Sequence, residues 1–244
     1  MEIIATRHGL ARIDADGVAV VDLPYADLAE LLADGGSLAD VATAPVVRRL
    51  SAEDLDEIVV GPLGTPTVWG VGLNYHAKAA LTGRSTPTFP ILYIKAPTAV
   101  GAPTASLRVV DGFTEQLDYE GEVGIVVGRA MSNVAAEDVW DHVAGIVCGN
   151  DVTARDVMKE HQNPLLAKSM PGVSSIGPTV LPLADIPDRD AIAMRTWWNG
   201  ELVQDGSTDD LIFDVPQLLS IISRYADLAP GDVVPGIGRA AEQV

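Results

Sequence analysis

The sequence of 244 residues contains little cysteine and few basic residues. Its single cysteine, Cys148, excludes an internal disulfide framework and is typical of proteins from a reducing compartment. Only 16 lysine and arginine residues stand against 34 acidic residues, and the net charge of −18 argues against binding to nucleic acids or anionic membranes. An anionic substrate stays possible, because the charge around a site matters more than the net charge.

Long apolar runs are also missing from the sequence. No stretch is long enough to span a bilayer, and the first residues, MEIIATRHGLARIDADG, lack the apolar segment of a signal peptide. We therefore expect a cytoplasmic protein without a membrane partner. Zinc sites are excluded as well, because the one cysteine and the four histidines show no zinc-binding spacing.

The residues that are present predict a β-rich α+β fold. Short apolar runs separated by turn residues recur after residue 67, and helical periodicity shows at AEDVWDHV and VPQLLSIISRYADL. Residues 1–60 predict a small β-rich subdomain with a helix around YADLAELLADG. The Pro- and Gly-rich residues 61–67 predict a linker to the main domain, residues 68–244.

A pair of carboxylates opens one of these apolar runs. In the stretch LDYEGEVGIVVG, Glu120 and Glu122 are two residues apart, so a strand places both on the same face. Asp151 follows the run HVAGIVCGN and is expected at the end of another strand. Three such carboxylates form an oxygen-ligand set for Mg²⁺, Mn²⁺ or Ca²⁺. The alternative is an exposed acidic strand face, which the pattern alone favours.

Six blocks of the sequence form a longer, ordered pattern. They are VGLNYHAKAA (71–80), PILYIKAPTAVG (90–101), DYEGEVGIVVG (118–128), WDHVAGIVCGNDVTARD (140–156), KSMPGVSSIGP (168–178) and NGELVQDGSTDDLIFDVPQLLSIIS (199–223). Together these blocks resemble the fumarylacetoacetate hydrolase family. The resemblance implies a mixed β-sandwich roll for the catalytic domain and a homodimer. It also implies a divalent cation (Mg²⁺ or Mn²⁺, with Ca²⁺ as a further candidate) held by Glu120, Glu122 and Asp151.

The resemblance further implies an enzyme that acts on small 2-oxo or 1,3-dicarbonyl acids, whose oxygens the cation polarises as a Lewis acid. Lys168 in AKSMPG matches the family lysine that faces the metal, although without the resemblance it would be interpreted as a surface lysine. Lys95 in LYIKAP and Tyr75 are expected to contact the substrate. Arg155 and Asp156 in TARD are expected to form an internal ion pair rather than to act in catalysis.

The sequence departs from the family pattern where hydrolytic members activate water. Their pattern is Asn-Tyr, two residues, a histidine and, three residues later, a glutamate, but here the last two positions hold Lys78 and Leu81. His76 lies two residues before the expected histidine and replaces it only if the segment adopts another register. Met158 stands where many members have a glutamine that contacts the substrate. The catalytic candidates are therefore Lys168, Lys78 and His76, and the substrate-binding candidates are Lys95, Met158 and Tyr75.

A further departure concerns the C-terminal region. After a Pro-Gly-Asp turn the family shows a Gly-Thr-Pro loop, a second such turn and a Gly-Ile-Gly ending, whereas this chain reads LAPGDVVPGIGRAAEQV. Either the loop is deleted, which would widen the pocket, or the sequence omits residues.

Three functions stay open on these grounds. Hydrolysis of C–C bonds is the family default, but the missing His–Glu pair counts against a plain hydrolase. Decarboxylation or isomerisation of 2-oxo acids needs mainly a metal that accepts electron density, and a proton donor such as Lys78 or Lys168. A non-catalytic binding protein is the third interpretation, and the intact set of metal carboxylates counts against it.

Overall fold

The computed structural model describes residues 1–51 and 59–237, and it confirms the predicted strand-rich α+β fold. Most strands join one large sheet, and the others form two-stranded sheets. The strands are β1 (Glu2–Thr6), β2 (Gly9–Asp14), β3 (Gly17–Val21), β4 (Val46–Leu50), β5 (Val59–Val60), β6 (Trp69–Gly72), β7 (Ile91–Ile94), β8 (Val100–Gly101), β9 (Leu117–Asp118), β10 (Gly121–Val127), β11 (Val143–Asn150), β12 (Thr153–Ala154), β13 (Ser174–Pro182), β14 (Ala193–Trp198), β15 (Glu201–Ser207) and β16 (Val233–Ile237).

Short helices connect these strands. The α-helices are α1 (Leu28–Ala33), α2 (Leu38–Thr43), α3 (His76–Thr82), α4 (Arg155–His161), α5 (Pro164–Lys168) and α6 (Val215–Tyr225). The 3₁₀ helices are Pro97–Ala99, Ala136–His142, Leu183–Asp185 and Thr208–Asp210. The two helices predicted around YADLAELLADG and VPQLLSIISRYADL are therefore α1 and α6, whereas the periodic segment AEDVWDHV forms a 3₁₀ helix.

The large sheet has the strand order β16–β10–β11–β13–β1–β2–β3–β4, and each pair along this path is antiparallel. The strand β1 joins the N-terminal strands to the rest, because Ile3 pairs with Val180 of β13. The N-terminal strands thus extend the same sheet. The domain division at residues 61–67 stays a prediction, and the last glycine of the predicted Gly-Ile-Gly ending, Gly238, lies outside the described residues.

Two helical layers cover the two faces of this sheet. Along β10, Ile125 faces the core that contains Leu218 of α6, and the next residue, Val126, faces the core that contains Leu31 of α1. This alternation follows from the two-residue period of a strand. The centre of β10 is therefore buried on both sides, and polar side chains of that strand are confined to its N-terminal end.

The apolar run AIAMRTWWNGELV forms the hairpin β14–β15. Asn199 and Gly200 form its turn with positive φ angles of 49° and 86°, the backbone conformation that a tight Asn-Gly hairpin turn requires. The hairpin lies beside the N-terminal end of β10, because the Gln204 side-chain oxygen accepts a hydrogen bond of 2.8 Å from the Gly121 N–H.

Within the described ranges, no helix is both long and apolar enough to cross a bilayer. The longest helix in the described ranges, α6, has 11 residues and begins at a capping box formed by Asp214 and Gln217.

We expect Ile125→Ala to destabilise the protein by about 2–5 kcal/mol, because Ile125 is fully buried between β10 and α6 and its truncation leaves a cavity. Urea unfolding followed by circular dichroism measures the change. Val47→Ala is the control, since the Val47 side chain is exposed and its truncation should change stability by less than about 0.5 kcal/mol. Equal midpoints for the two variants would contradict this account of the core.

Candidate metal centre

The register of β10 and β11 brings three carboxylates together. Gly121 pairs with Asn150, so the preceding and following residues, Glu120 and Asp151, lie opposite each other, and the Asp151 N–H donates to the Glu120 carbonyl at 2.8 Å. Opposite residues of an antiparallel pair share a face, and Glu122 follows on that face two residues along. One carboxylate oxygen from each of the three residues lies within 4.8 Å of the other two.

These carboxylates are buried, with residue exposures between 4% and 7%. Burial of uncompensated charge is costly, and basic side chains offset that cost here. The Lys168 ammonium contacts both Glu120 and Asp151, and the Lys95 ammonium contacts Asp151. Lys78 reaches Glu120 Oε1 with its Nζ at 3.0 Å. The three lysines predicted for the site therefore surround the carboxylates.

Arg155 adds a further positive charge to this cluster. Its Nη2 lies 2.8 Å from Glu120 Oε1 and 2.6 Å from Asp118 Oδ2. Asp156 instead accepts hydrogen bonds from the Thr114 hydroxyl and the Glu115 N–H. The expected ion pair between Arg155 and Asp156 was therefore wrong, because Arg155 turns toward the carboxylates of the neighbouring strands.

The lysines determine the ionisation of two of the carboxylates. Burial alone would raise the pKa of Glu120, but Lys168, Lys78 and Arg155 hold it well below its usual range. Burial likewise opposes ionisation of Asp151, and Lys168 and Lys95 lower its pKa overall. Burial opposes the charge on Lys168 too, yet Glu120 and Asp151 raise its pKa. Both carboxylates and Lys168 are thus charged at neutral pH.

Glu122 differs from its two neighbours. Burial, reinforced by the charge of Asp151, raises its pKa well above the usual range for a glutamate. Its buried Oε2 atom lacks a hydrogen-bond partner among residues 1–51 and 59–237. A divalent cation would satisfy that oxygen and favour ionised Glu122, and three carboxylates suit Mg²⁺, Mn²⁺ or Ca²⁺. The residues at this site therefore fit the cation that the resemblance implied.

Tyr93 also lies at this site, although the sequence analysis did not predict it. Its hydroxyl donates to Asp151 Oδ2 at 2.7 Å, and its ring centroid lies 5.6 Å from Lys168 Nζ. Tyr93 and Lys95 are two residues apart at the end of β7 and point the same way. Side chains alternate along the strand segment LYIK, so the assignment of Lys95 to the site could also have identified Tyr93.

Tyr93 occupies space that a glycine leaves open. Gly70 pairs with Tyr93 across β6 and β7, and a Cβ atom built on Gly70 would lie only 2.0 Å from the Tyr93 ring. The ring therefore passes directly over Gly70 on its way to Asp151. Any larger residue at position 70 must displace the ring and with it the hydroxyl.

The segment to which the resemblance assigns water activation is α3. Its start is anchored, because Asn74 exchanges two hydrogen bonds with the backbone of Phe213. His76 is exposed, and among the described residues no hydrogen bond or ion pair joins it to the carboxylates. Lys78 points into the site, whereas Leu81, at the second position of the pair, is exposed.

The remaining candidates for substrate contact lie at different depths. Tyr75 precedes α3 and is buried, and burial together with the charge of Glu122 raises its pKa. Met158 is half-buried in α4. Contact of either side chain with a substrate stays a prediction.

We expect Tyr93→Phe to weaken Mn²⁺ binding about 10–100-fold, because loss of a partner that orients a metal ligand typically has an effect of this size. Gly70→Ala should weaken binding comparably, since its Cβ displaces the Tyr93 ring. Titration calorimetry with Mn²⁺ measures both effects. Gly72→Ala in the same strand is the matched control, because its Cβ would come no closer than 3.3 Å to Ile91. Unchanged affinity in both test variants would show that Tyr93 does not orient Asp151.

Comparison with known proteins places this site in a family. The model of the fumarylacetoacetate (FAA) hydrolase C-terminal domain matches residues 67–236. The oxaloacetate tautomerase YisK of Bacillus subtilis (strain 168) is 34% identical over 166 residues, which are 67% of this chain and 55% of that protein. The homoprotocatechuate catabolism bifunctional isomerase/decarboxylase of Escherichia coli is 37% identical over 170 residues, which are 69% of this chain and 39% of that protein.

A solved structure is similar over nearly the whole chain. The fumarylacetoacetate hydrolase of Exiguobacterium antarcticum superposes with a TM-score of 0.80 at 29% identity, covering 98% of this chain and 86% of that one. The chain spans only 55% and 39% of the lengths of the two curated relatives above. The family match nevertheless spans more than half of the chain and contains all three carboxylates. The protein therefore belongs to the fumarylacetoacetate hydrolase family.

Proposed function

We propose that this protein is a divalent-cation-dependent enzyme that enolises 2-oxo dicarboxylic acids and catalyses their tautomerisation or isomerisation. Decarboxylation of such acids uses the same chemistry and belongs to the proposal. One observation carries it. The three carboxylates lie together among lysines and could hold a metal ion, while Lys78, which contacts Glu120, stands where the resemblance predicts the water-activating histidine.

The charge of the site supports a doubly charged substrate. Within the described contact network, four carboxylates face four basic side chains: Asp118, Glu120, Glu122 and Asp151 against Lys78, Lys95, Lys168 and Arg155. With all of them ionised, these charges cancel. A bound divalent cation then leaves a net charge of +2, which complements the two carboxylates of a 2-oxo dicarboxylic acid.

The lysines around the site differ in burial, and this difference suggests which part of such a substrate each would contact. The side chains of Lys95 and Lys168 are almost fully buried, whereas that of Lys78 is a quarter exposed. We assign Lys168 and Lys95 to the carboxylate and oxo oxygen nearest the carboxylate cluster, and Lys78 to the outer carboxylate. A bound cation would supply the Lewis acidity that stabilises negative charge on the oxo oxygen. The buried ammonium groups would stabilise that charge further.

The named activities of the relatives agree with this proposal. One relative is named as an oxaloacetate tautomerase and the other as a bifunctional isomerase/decarboxylase. Hydrolysis of C–C bonds is the second candidate, because the structurally similar protein of Exiguobacterium antarcticum is named as a hydrolase. The exposed Leu81 counts against hydrolysis, since it stands where the resemblance predicts a glutamate.

The homodimer and the cytoplasmic location of the protein stay predictions. The exposed side chains of Trp197, Trp198 and Leu202 on the β14–β15 hairpin agree with the predicted homodimer, because apolar patches of this kind are typical of interfaces. The cytoplasmic location was inferred from the sequence alone.

A substrate panel tests the proposed reaction. Oxaloacetate, acylpyruvates and hydroxymuconate-type acids are each incubated with the protein and Mg²⁺ or Mn²⁺. We expect a change in the enol absorbance of the dicarboxylic substrates, with CO₂ release marking decarboxylation. Glu122→Ala at the same metal concentration is the control, because free metal ions also promote these reactions. Release of two acids from acylpyruvates, with no tautomerisation of any substrate, would favour hydrolysis instead. No turnover on the whole panel would favour the non-catalytic interpretation.

Two variants separate the roles of the basic residues. Lys168→Ala should lower kcat by about 10²–10³-fold, the effect typical of losing one donor that stabilises developing charge. His76→Ala should lower it about tenfold or less, well short of the roughly 10²–10⁴-fold contributed by a general base. Steady-state kinetics on the best substrate measures both effects. A large loss in His76→Ala with unchanged KM would show that α3 shifts register and that His76 activates water.

A further inference from the structure

A cleft lies between the N-terminal helices and the end of the sheet away from the carboxylates. Its volume is about 640 Å³, within the range typical of small-molecule sites. Leu32 and Leu38 form one wall, and Val143 and Leu183 form another. These four side chains are buried, so the cleft has an apolar interior.

This cleft is remote from the metal centre. The carboxylates lie at the start of β10 and the end of β11, whereas the cleft is lined by Gly128 after the end of β10 and by Val143 at the start of β11. Gly128 is six positions along the strand from Glu122, which corresponds to roughly 20 Å. A ligand in the cleft would therefore not touch the metal centre.

The charged residues that line the cleft are two arginines and one aspartate, Asp141. Arg129 and Arg189 both line it, and the Arg189 guanidinium lies 5.7 Å from the Trp140 ring centroid, which restrains it. His142 also lines the cleft, and its Nδ1 donates to the Ala130 carbonyl at 2.9 Å. That hydrogen bond leaves Nε2 as the ring nitrogen available to a ligand. In a protein of net charge −18, the two arginine charges exceed the one charge of Asp141, and this local excess favours an anion.

The cleft exists because the N-terminal segment packs on the family domain. The wall that contains Leu32 and Leu38 lies outside residues 67–236, the range that matches the family model. The opposite wall and both arginines lie within that range. The two parts of the chain therefore build this cleft jointly.

We propose that the cleft binds a small carboxylic acid with an apolar body, independently of the metal centre. The apolar body would pack against Leu32, Leu38 and Leu183, and the carboxylate would face Arg129 and Arg189. A neutral apolar molecule would gain nothing from the arginines, and a small hydrophilic acid would gain nothing from the walls.

The probe 8-anilinonaphthalene-1-sulfonate tests this proposal, because it combines an apolar body with one anionic group and fluoresces when shielded from water. We expect saturable binding to the full chain. Ala39→Trp and Ala184→Trp place a large ring at exposed lining positions and should each weaken binding at least about tenfold. Circular dichroism confirms that these variants fold.

Charge variants test the anionic part of the proposal. Arg129→Gln and Arg189→Gln should each weaken binding about two- to fivefold, the range expected for a partly exposed ion pair. Arg195→Gln is the matched control, because Arg195 lies on the β14–β15 hairpin and pairs with Asp205. The neutral analogue N-phenyl-1-naphthylamine should bind these variants and the parent protein with the same affinity.

Several results would overturn the proposal. Unchanged binding in both folded tryptophan variants would show that the probe does not enter the cleft. Equal binding by both arginine variants and the parent would show that the cleft does not select anions. Loss of probe binding in Glu122→Gln would place the probe at the metal centre. Retained binding in that variant, with loss in Ala184→Trp, supports a separate site.

Discussion

The structure around the site depends on the burial of three carboxylates on one face of the β10–β11 ladder. Glu120 and Asp151 lie opposite each other, and Glu122 follows two residues along, so the backbone register alone forces three acids together. Such a cluster is stable only with compensating positive charge. Lys168 supplies part of it by bridging Glu120 and Asp151, and Lys95 supplies more.

The compensating groups come from separate segments of the chain, which explains much of the topology. Lys78 lies on α3, Lys95 follows β7, Arg155 begins α4 and Lys168 ends α5. Each segment must dock on the sheet for its cation to reach the carboxylates. Docking of these segments therefore assembles the site, and removal of one cation reduces the positive charge that offsets the buried acids.

Strand alternation predicted that Glu120 and Glu122 share one face, but that pattern alone favoured an exposed acidic face. The resemblance to the family was what favoured a metal site that includes Asp151. Lys168 was assigned to the site through the ordered blocks that resemble the family, because no local pattern distinguishes it from a surface lysine. Gly70 escaped prediction because its importance depends on its cross-strand pair with Tyr93, and register is not visible in one sequence. Arg155 was assigned the wrong partner for a similar reason, since proximity along the chain did not decide its ion pair.

The central claim is that these three carboxylates hold one divalent cation. Anomalous diffraction from crystals saturated with Mn²⁺ tests it most directly. The account predicts one strong peak per chain, about 2.0–2.6 Å from oxygens of Glu120, Glu122 and Asp151, with the Lys168 ammonium moved aside. A fully occupied Mn²⁺ peak elsewhere, with Lys168 still bridging Glu120 and Asp151, would contradict it.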